Sequence, residues 1–199
     1  DNCVIALAGA GSASNLASRP IRYLYLDELD KYPPSLGEEG SPEDLAIERT
    51  KTFPNSKVVK SSTITTEEAP IWTAFLQSDR REWFCKCPKC GHEFVVKWGR
   101  VKFPKEEENG KHLSDDERAE RCYVSCPECD HRIYESSRRQ FLASGQWQPT
   151  AKAVPGIVGY RISEVSSCIG RSWPKLVKLF LSAERKAKAG NFESLRTFI

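Results

Sequence analysis

Two groups of residues in this 199-residue chain have the types and spacing to do chemistry. The first is Asp27-Glu28, with Asp30 just behind, closing the run Ile21-Arg-Tyr-Leu-Tyr-Leu-Asp-Glu-Leu-Asp30. A carboxylate at the end of a buried strand can hold Mg²⁺, directly or through water, against the β- and γ-phosphates of a nucleotide. A second carboxylate beside it can orient and polarise the attacking water. The same ten residues also suit a strand that runs into a solvated acidic turn. The second group is Cys87-Pro-Lys-Cys90-Gly91 with Cys126-Pro-Glu-Cys129-Asp130. Each Cys-x-x-Cys turn brings two thiolates to one ion. Two such turns complete a Zn²⁺ tetrahedron with no open position, which makes the site structural rather than catalytic. Pro88 pre-sets the first turn and Gly91 permits a left-handed residue after it, a place that Asp130 fills less easily in the second turn. Lys86, Lys89, Arg132 and the Arg138-Arg139 pair are placed to offset the net negative charge of four thiolates on zinc. Cys85 and Cys122 could substitute as ligands, but the paired Cys-Pro-x-Cys geometry is favoured over them. Cys3 and Cys168 lie in apolar stretches and read as core residues. His92 and His131 are not needed as ligands.

The elements that must position these groups follow from pattern and punctuation. The acidic run is bounded by Pro20 and Pro33-Pro34 and reads as a strand buried on both faces, delivering its acids to the carboxyl edge of a parallel sheet. That is the Walker B pattern of P-loop NTPases. Residues 4–8 read as a second buried strand, leading into the small-residue loop Gly9-Ala-Gly-Ser-Ala-Ser-Asn15. No Gly-x-x-x-x-Gly-Lys-Ser/Thr occurs in these residues, so a Walker A would lie upstream. The absence of Met, even at position 1, likewise suggests a piece of a longer chain. Arg19 and Arg22 precede the acidic strand. Each suits a solvated or packing role, and one could serve as an arginine finger toward a neighbouring subunit's nucleotide. Ser41-Pro-Glu-Asp44 caps a helix running to about Lys51. Residues 57–62 form a third strand ending in the hydroxyl-rich Ser61-Ser-Thr-Ile-Thr-Thr66. Its hydroxyls could sense a γ-phosphate or a bound water, or be plain turn residues or a cap for a helix over residues 67–77.

Farther on, residues 94–101 and 123–125 alternate as ribbon strands. The polar, acidic segment 104–120 between the knuckles reads as a solvated excursion, and its charge argues against a place on a phosphate backbone. Trp83, Phe84 and Trp98 suit the thin core of a small metal module better than base stacking. Residues 136–144 form a short helix ended by Gly145, residues 158–163 a strand rejoining the main sheet, and Ser172-Trp-Pro174 opens a final helix. Leu176, Phe180, Ala183 and Ala187 share one of its faces. Lys175, Lys178, Arg185, Lys186 and Lys188 make it strongly basic, which suits DNA, a solvated face or a docking partner equally.

The totals exclude less than the motifs assert. Net charge is +3 with 29% charged residues, too balanced to argue for or against nucleic acid. No run of 18 apolar residues suggests a transmembrane helix. The first residues lack a basic n-region, so they do not read as a signal peptide. Eight cysteines, four of them in Cys-x-x-Cys pairs, fit a metal in a reduced compartment better than a disulfide scaffold.

The order of parts resembles a known family. Ser12-x-x-Asn15-Leu16 and Arg19-Pro20 precede an apolar strand to Asp27-Glu-x-Asp30-x-Tyr32-Pro33. Then come an acidic helix with Arg49-Thr50 and Phe53-Pro54, a strand to Ser62-Thr63, Ser78-Asp79-Arg80-Arg81, Phe84 and the first cysteine knuckle. This is similar to the large subunit of lambda-type phage DNA-packaging terminases, the GpA-like family, from about Leu7 to Phe198. The resemblance implies an α/β fold: the C-terminal part of a P-loop NTPase core with an inserted Cys₄ zinc ribbon. Core residues 1–82 would be followed by the ribbon at 83–135 and by a return to the core at 136–199, leading toward a nuclease. It implies an ATP- and Mg²⁺-dependent motor that packages double-stranded DNA in the cytoplasm of a bacterial host of a phage or prophage. The motor would work as a homo-oligomer with a small subunit and a capsid portal. Asp27 would be the Mg²⁺-linked acid, Glu28 the catalytic carboxylate, Arg19 the nearest candidate finger, and Ser62-Thr63 the motif coupling hydrolysis to DNA movement. Ile64 and Ala17 depart from the family, which often has Pro and Arg there. A non-catalytic zinc-ribbon binding module and a helicase-like ATPase are the alternatives.

Overall fold

The computed structural model describes residues 4–64 and 66–195. They form a mixed α/β chain of two compact units, Asp1–Ser78 and Asp79–Ile199.

In the first unit, β1 (Tyr23–Leu26) and β2 (Lys57–Lys60) pair in parallel, Tyr23 against Lys57 through Leu26 against Lys60. Parallel neighbours need a crossover, and α2 (Pro42–Glu48) lies within it. Its start is as expected: the Ser41 hydroxyl accepts the Asp44 N–H at 3.1 Å, Pro42 opens the first turn, and Glu43 and Asp44 face the positive end of the helix dipole. Helix α1 (Ala13–Ala17) packs with α2. Leu16, Leu24, Leu26, Leu29 and Ala46 form the small core.

Strand β1 is buried on one face only. Leu24 and Leu26 point inward, whereas Tyr23 and Tyr25 are 62% and 61% exposed. The reason is the period of two: alternate side chains take opposite faces, and the described residues cover one of them. Residues 4–8 are not a strand. They belong to no ladder, and Val4, Ile5 and Leu7 are exposed. Helix α3 (Pro70–Gln77) begins three residues later than the sequence suggested.

In the second unit, β3 (Arg81–Lys86) is the hub. It pairs antiparallel with β4 (Glu93–Val95) and with β8 (Gln146–Gln148), and in parallel with β9 (Tyr160–Arg161). The segment expected to rejoin the main sheet therefore pairs with β3 instead. A three-stranded antiparallel sheet joins β5 (Val101–Lys102), β6 (Tyr123–Ser125) and β7 (Arg132–Tyr134). Helices α5 (Glu135–Ala143) and α6 (Trp173–Lys188) close over the cysteine module. One core holds Cys85, Cys126, Val124, Phe141, Leu142 and Trp173 together. Trp83 and Trp98 pack against that core, and the Trp83 indole N–H donates to the Leu142 carbonyl at 2.9 Å, as the core reading requires.

The acidic excursion is not simply solvated. Its helix α4 (Asp115–Glu120) has a complete capping box from Ser114 and Glu117. It packs on α6, with Ala119 fully buried and Leu113 nearly so. The apolar residues at Leu113 and Ala119 are few, and the acids around them hide them in a composition reading.

Candidate functional site

The acids at the end of β1 stand beside the end of β2, because parallel pairing puts both carboxyl ends at one edge. The Ser61 hydroxyl, one residue past β2, donates to Asp27 Oδ1 at 2.8 Å. The Tyr25 hydroxyl reaches the same oxygen at 3.2 Å and lies 2.9 Å from Ser61 Oγ. Asp27 thus keeps an exposed carboxylate with its Oδ1 held by two hydroxyls. The chain then turns sharply. Glu28 takes a left-handed conformation, φ +51°, which a non-glycine residue adopts only at some cost. The following turn, Leu29–Lys31, buries Leu29 and leaves the Glu28 carboxylate at the surface. Burial, and then the Asp27 charge, push the Tyr32 phenol above its ordinary range, so its side chain belongs to the same neighbourhood.

The hydroxyls after β2 divide the work differently from expectation. Ser62 Oγ accepts the Asp30 N–H at 3.1 Å and so braces the acidic turn. Thr63 is exposed. Ser61, one of that hydroxyl run but not the pair the family resemblance singled out, is the residue that touches Asp27. Asp30 has a structural task as well: its carboxylate accepts the Ile71 N–H at 3.0 Å and caps α3 from a distance. Ala69 cannot supply that cap. Arg19 is exposed in the connection before β1, and Arg22 lies over the Tyr23 ring at 5.1 Å.

The four knuckle cysteines converge. The sulfurs of Cys87, Cys90, Cys126 and Cys129 all lie within 4.8 Å of one another. Cys87 and Cys129 are 3.8 Å apart, and Cys90 and Cys126 3.7 Å. A disulfide needs about 2.05 Å, whereas a tetrahedron of metal–sulfur bonds of about 2.3 Å has edges near 3.8 Å. The two knuckles repeat one hydrogen-bond pattern: Gly91 N–H to the Cys87 carbonyl at 3.0 Å, Asp130 N–H to the Cys126 carbonyl at 3.2 Å. Gly91 (φ +75°) and Asp130 (φ +52°) are both left-handed, as the two turns demanded. The donor set fits a closed, structural metal centre.

Burial opposes ionisation of Cys87, but backbone N–H groups of Cys90 and Lys89 and the neighbouring thiols hold it down to about 7. Cys85 and Cys122 are buried in the core and lie outside the four-sulfur cluster, so they are core thiols and not ligands. Cys168 is exposed rather than buried, because its loop lies outside the packed helices. Cys3 falls outside the described residues. Arg138 does not serve the cysteine centre: it is buried and donates to the Ser167 carbonyl at 2.6 Å. Arg132 lies over the Tyr123 ring at 5.0 Å.

Residues 1–147 match the family described as phage terminase large subunit gpA, ATPase domain. The chain belongs to that family. The match covers both groups of residues, the acidic turn and the cysteine centre. Among curated proteins and among solved structures, nothing matches the chain. As a gpA-type ATPase domain it implies ATP hydrolysis with Mg²⁺ in the parent protein, in the setting of phage DNA packaging. No helix among the described residues is long and apolar enough to cross a membrane.

Proposed function

We propose that this chain is the part of a packaging motor's ATPase that carries the Mg²⁺-linked acid and the water-activating carboxylate. Asp27 takes the first role and Glu28 the second, on a P-loop core whose phosphate-binding loop lies upstream. Ser62 and Thr63 belong to the element that couples hydrolysis to movement of double-stranded DNA, and Arg19 is the candidate finger toward a neighbouring subunit in a homo-oligomeric ring. The parent works with a small subunit and a portal and carries a nuclease beyond this chain. Zn²⁺ occupies the four-cysteine centre and holds the second unit together without entering the chemistry.

The observation that carries this reading is the Asp27 carboxylate, held by Ser61 at the common carboxyl edge of two parallel strands. A metal-linked acid needs that placement: anchored at the sheet edge and exposed. The test is DNA-stimulated ATP hydrolysis by the full-length parent. Glu28→Gln should lower turnover at least about a hundredfold while leaving nucleotide binding nearly unchanged. Asp27→Asn should lose the Mg²⁺ dependence. Hydrolysis by Glu28→Gln at the parent rate would remove the catalytic assignment.

A further inference from the structure

Helix α6 carries its charge in an ordered way. At 3.6 residues per turn, Lys175, Lys178, Arg185 and Lys186 fall within an arc of about 100°. The arc lies opposite the buried side formed by Trp173, Leu176, Val177 and Ala187. Lys175 to Lys186 spans about 16 Å of helix, and all four side chains are exposed. One edge of the stripe is covered by α4. Lys178 Nζ lies 2.6 Å from Asp116 Oδ1, and Arg185 Nη1 lies 3.0 Å from Asp115 Oδ2. The other edge, Lys175 and Lys186, has no acidic partner among the described residues. Both ion pairs reach water, Lys178 and Asp116 being 46% and 77% exposed and Arg185 and Asp115 68% and 33%, with Asp115 also accepting from Arg118 at 3.2 Å. Exposed pairs of this kind hold weakly and give way to a stronger polyanion.

We infer that the α6 stripe is a contact for the phosphate backbone of duplex DNA, and that the acids of α4 occupy half of it as an internal competitor. The inference rests on the proposed DNA cargo and adds the surface and its control. Duplex DNA presents about one charge per 1.7 Å of axis, so a straight row of cations 16 Å long meets several phosphates at once. The two carboxylates of α4 already sit where two of those phosphates would. Bound DNA displaces Asp115 and Asp116 from Arg185 and Lys178, while Ala119 and Leu113 keep α4 anchored beside the helix.

The test uses the zinc-loaded chain, a short labelled DNA duplex, and fluorescence anisotropy over a range of salt concentrations. Lys175→Glu with Lys186→Glu should weaken binding about tenfold or more, and Lys175→Gln with Lys186→Gln should reduce the salt slope by about 1.8. Asp115→Asn with Asp116→Asn should act in the opposite sense, tightening binding severalfold and steepening the slope. Melting curves of each variant identify any that fails to fold, and the paired Gln and Glu changes at Lys175 and Lys186 keep the readout independent of one variant. Binding that is absent in the parent, indifferent to both variant pairs, or moved the same way by both overturns the inference. So does displacement of the duplex by poly-glutamate as effectively as by unlabelled DNA, which would assign the stripe to an acidic protein. Duplex binding needs no ATP, so a failure here leaves the Glu28 result untouched, and the reverse also holds.

Discussion

Asp27 is held by two hydroxyls that come from different places in the chain, Tyr25 two residues before it and Ser61 from the end of the neighbouring strand. Removing the second should loosen the acid without unfolding anything, because Ser61 is only half-buried. Ser61→Ala in the full-length parent should reduce ATP turnover about three- to tenfold, the scale of one partly solvated hydrogen bond to a charged group. A Mg²⁺ titration of steady-state hydrolysis should show the loss partly recovered at high metal. A second carboxylate reports on the other unit. Asp79 accepts the Arg81 Nε–H at 2.7 Å and the Gly159 N–H at 3.2 Å, and the hydrogen bond from Arg81 holds its carboxyl below the usual range. Because the folded value is depressed, the stabilisation is complete above the unfolded value of about 3.9. It is lost as pH falls through the lower, folded value. Thermal melting from about pH 5 down to about pH 2 should therefore fall less steeply for Asp79→Asn than for the parent. Both residues show a limit of reading a chain in order: Asp79 and Ser61 look like ordinary turn residues until their partners, 80 and 34 positions away, are in place.

Among the elements, Gly145 illustrates a correct residue assigned for an incomplete reason. Glycine after a helix suggests a left-handed cap, yet Gly145 is not among the positive-φ residues. What it provides is room. A Cβ at that position would sit 2.3 Å from the Trp83 indole nitrogen, the same group that donates to the Leu142 carbonyl. Gly145→Ala should destabilise the second unit by about 1–3 kcal/mol, the range for forcing an atom into a packed core. A denaturant midpoint followed by tryptophan fluorescence reads this directly. The beginning of α3 teaches the complementary lesson. Its hydroxyl-rich approach promised a local cap, and the cap came instead from Asp30 on the turn after β1. Local rules placed the helices α2 and α6 well because their caps, Ser41 and Ser172, are local, whereas the equally local capping box at Ser114 was hidden among the acids of its segment.

For the molecule as a whole, the cysteine centre is the main dependency. Cys87 and Cys126 belong to the same core as α5 and α6, so losing a bound ion would leave four close thiols among the packed side chains. The chain as purified should carry one zinc by elemental analysis, with the ion absent or weakly held after Cys87→Ser or Cys129→Ser. Chelation should red-shift tryptophan emission, since Trp83, Trp98, Trp147 and Trp173 all lie in that unit. An unchanged spectrum with zinc removed would show that the core stands without it. The acidic α4 belongs to this scale too, because only the assembled unit brings it against α6.

The residue types alone determined a good deal: the two acids at a strand end, the Cys-x-x-Cys pairs with their left-handed following residues, and the two helices α2 and α6 with their own caps. These rest on contacts within a few positions, where geometry follows from covalent connectivity. Tertiary structure decided the rest. It chose the face of β1 that is buried, paired β9 with β3, docked α4, turned Arg138 toward carbonyls and put Ser61 on Asp27. Each of these depends on which distant segments meet, and many pairings are compatible with the same local pattern. Burial of the shared core and the satisfaction of polar groups at its edge select one of them.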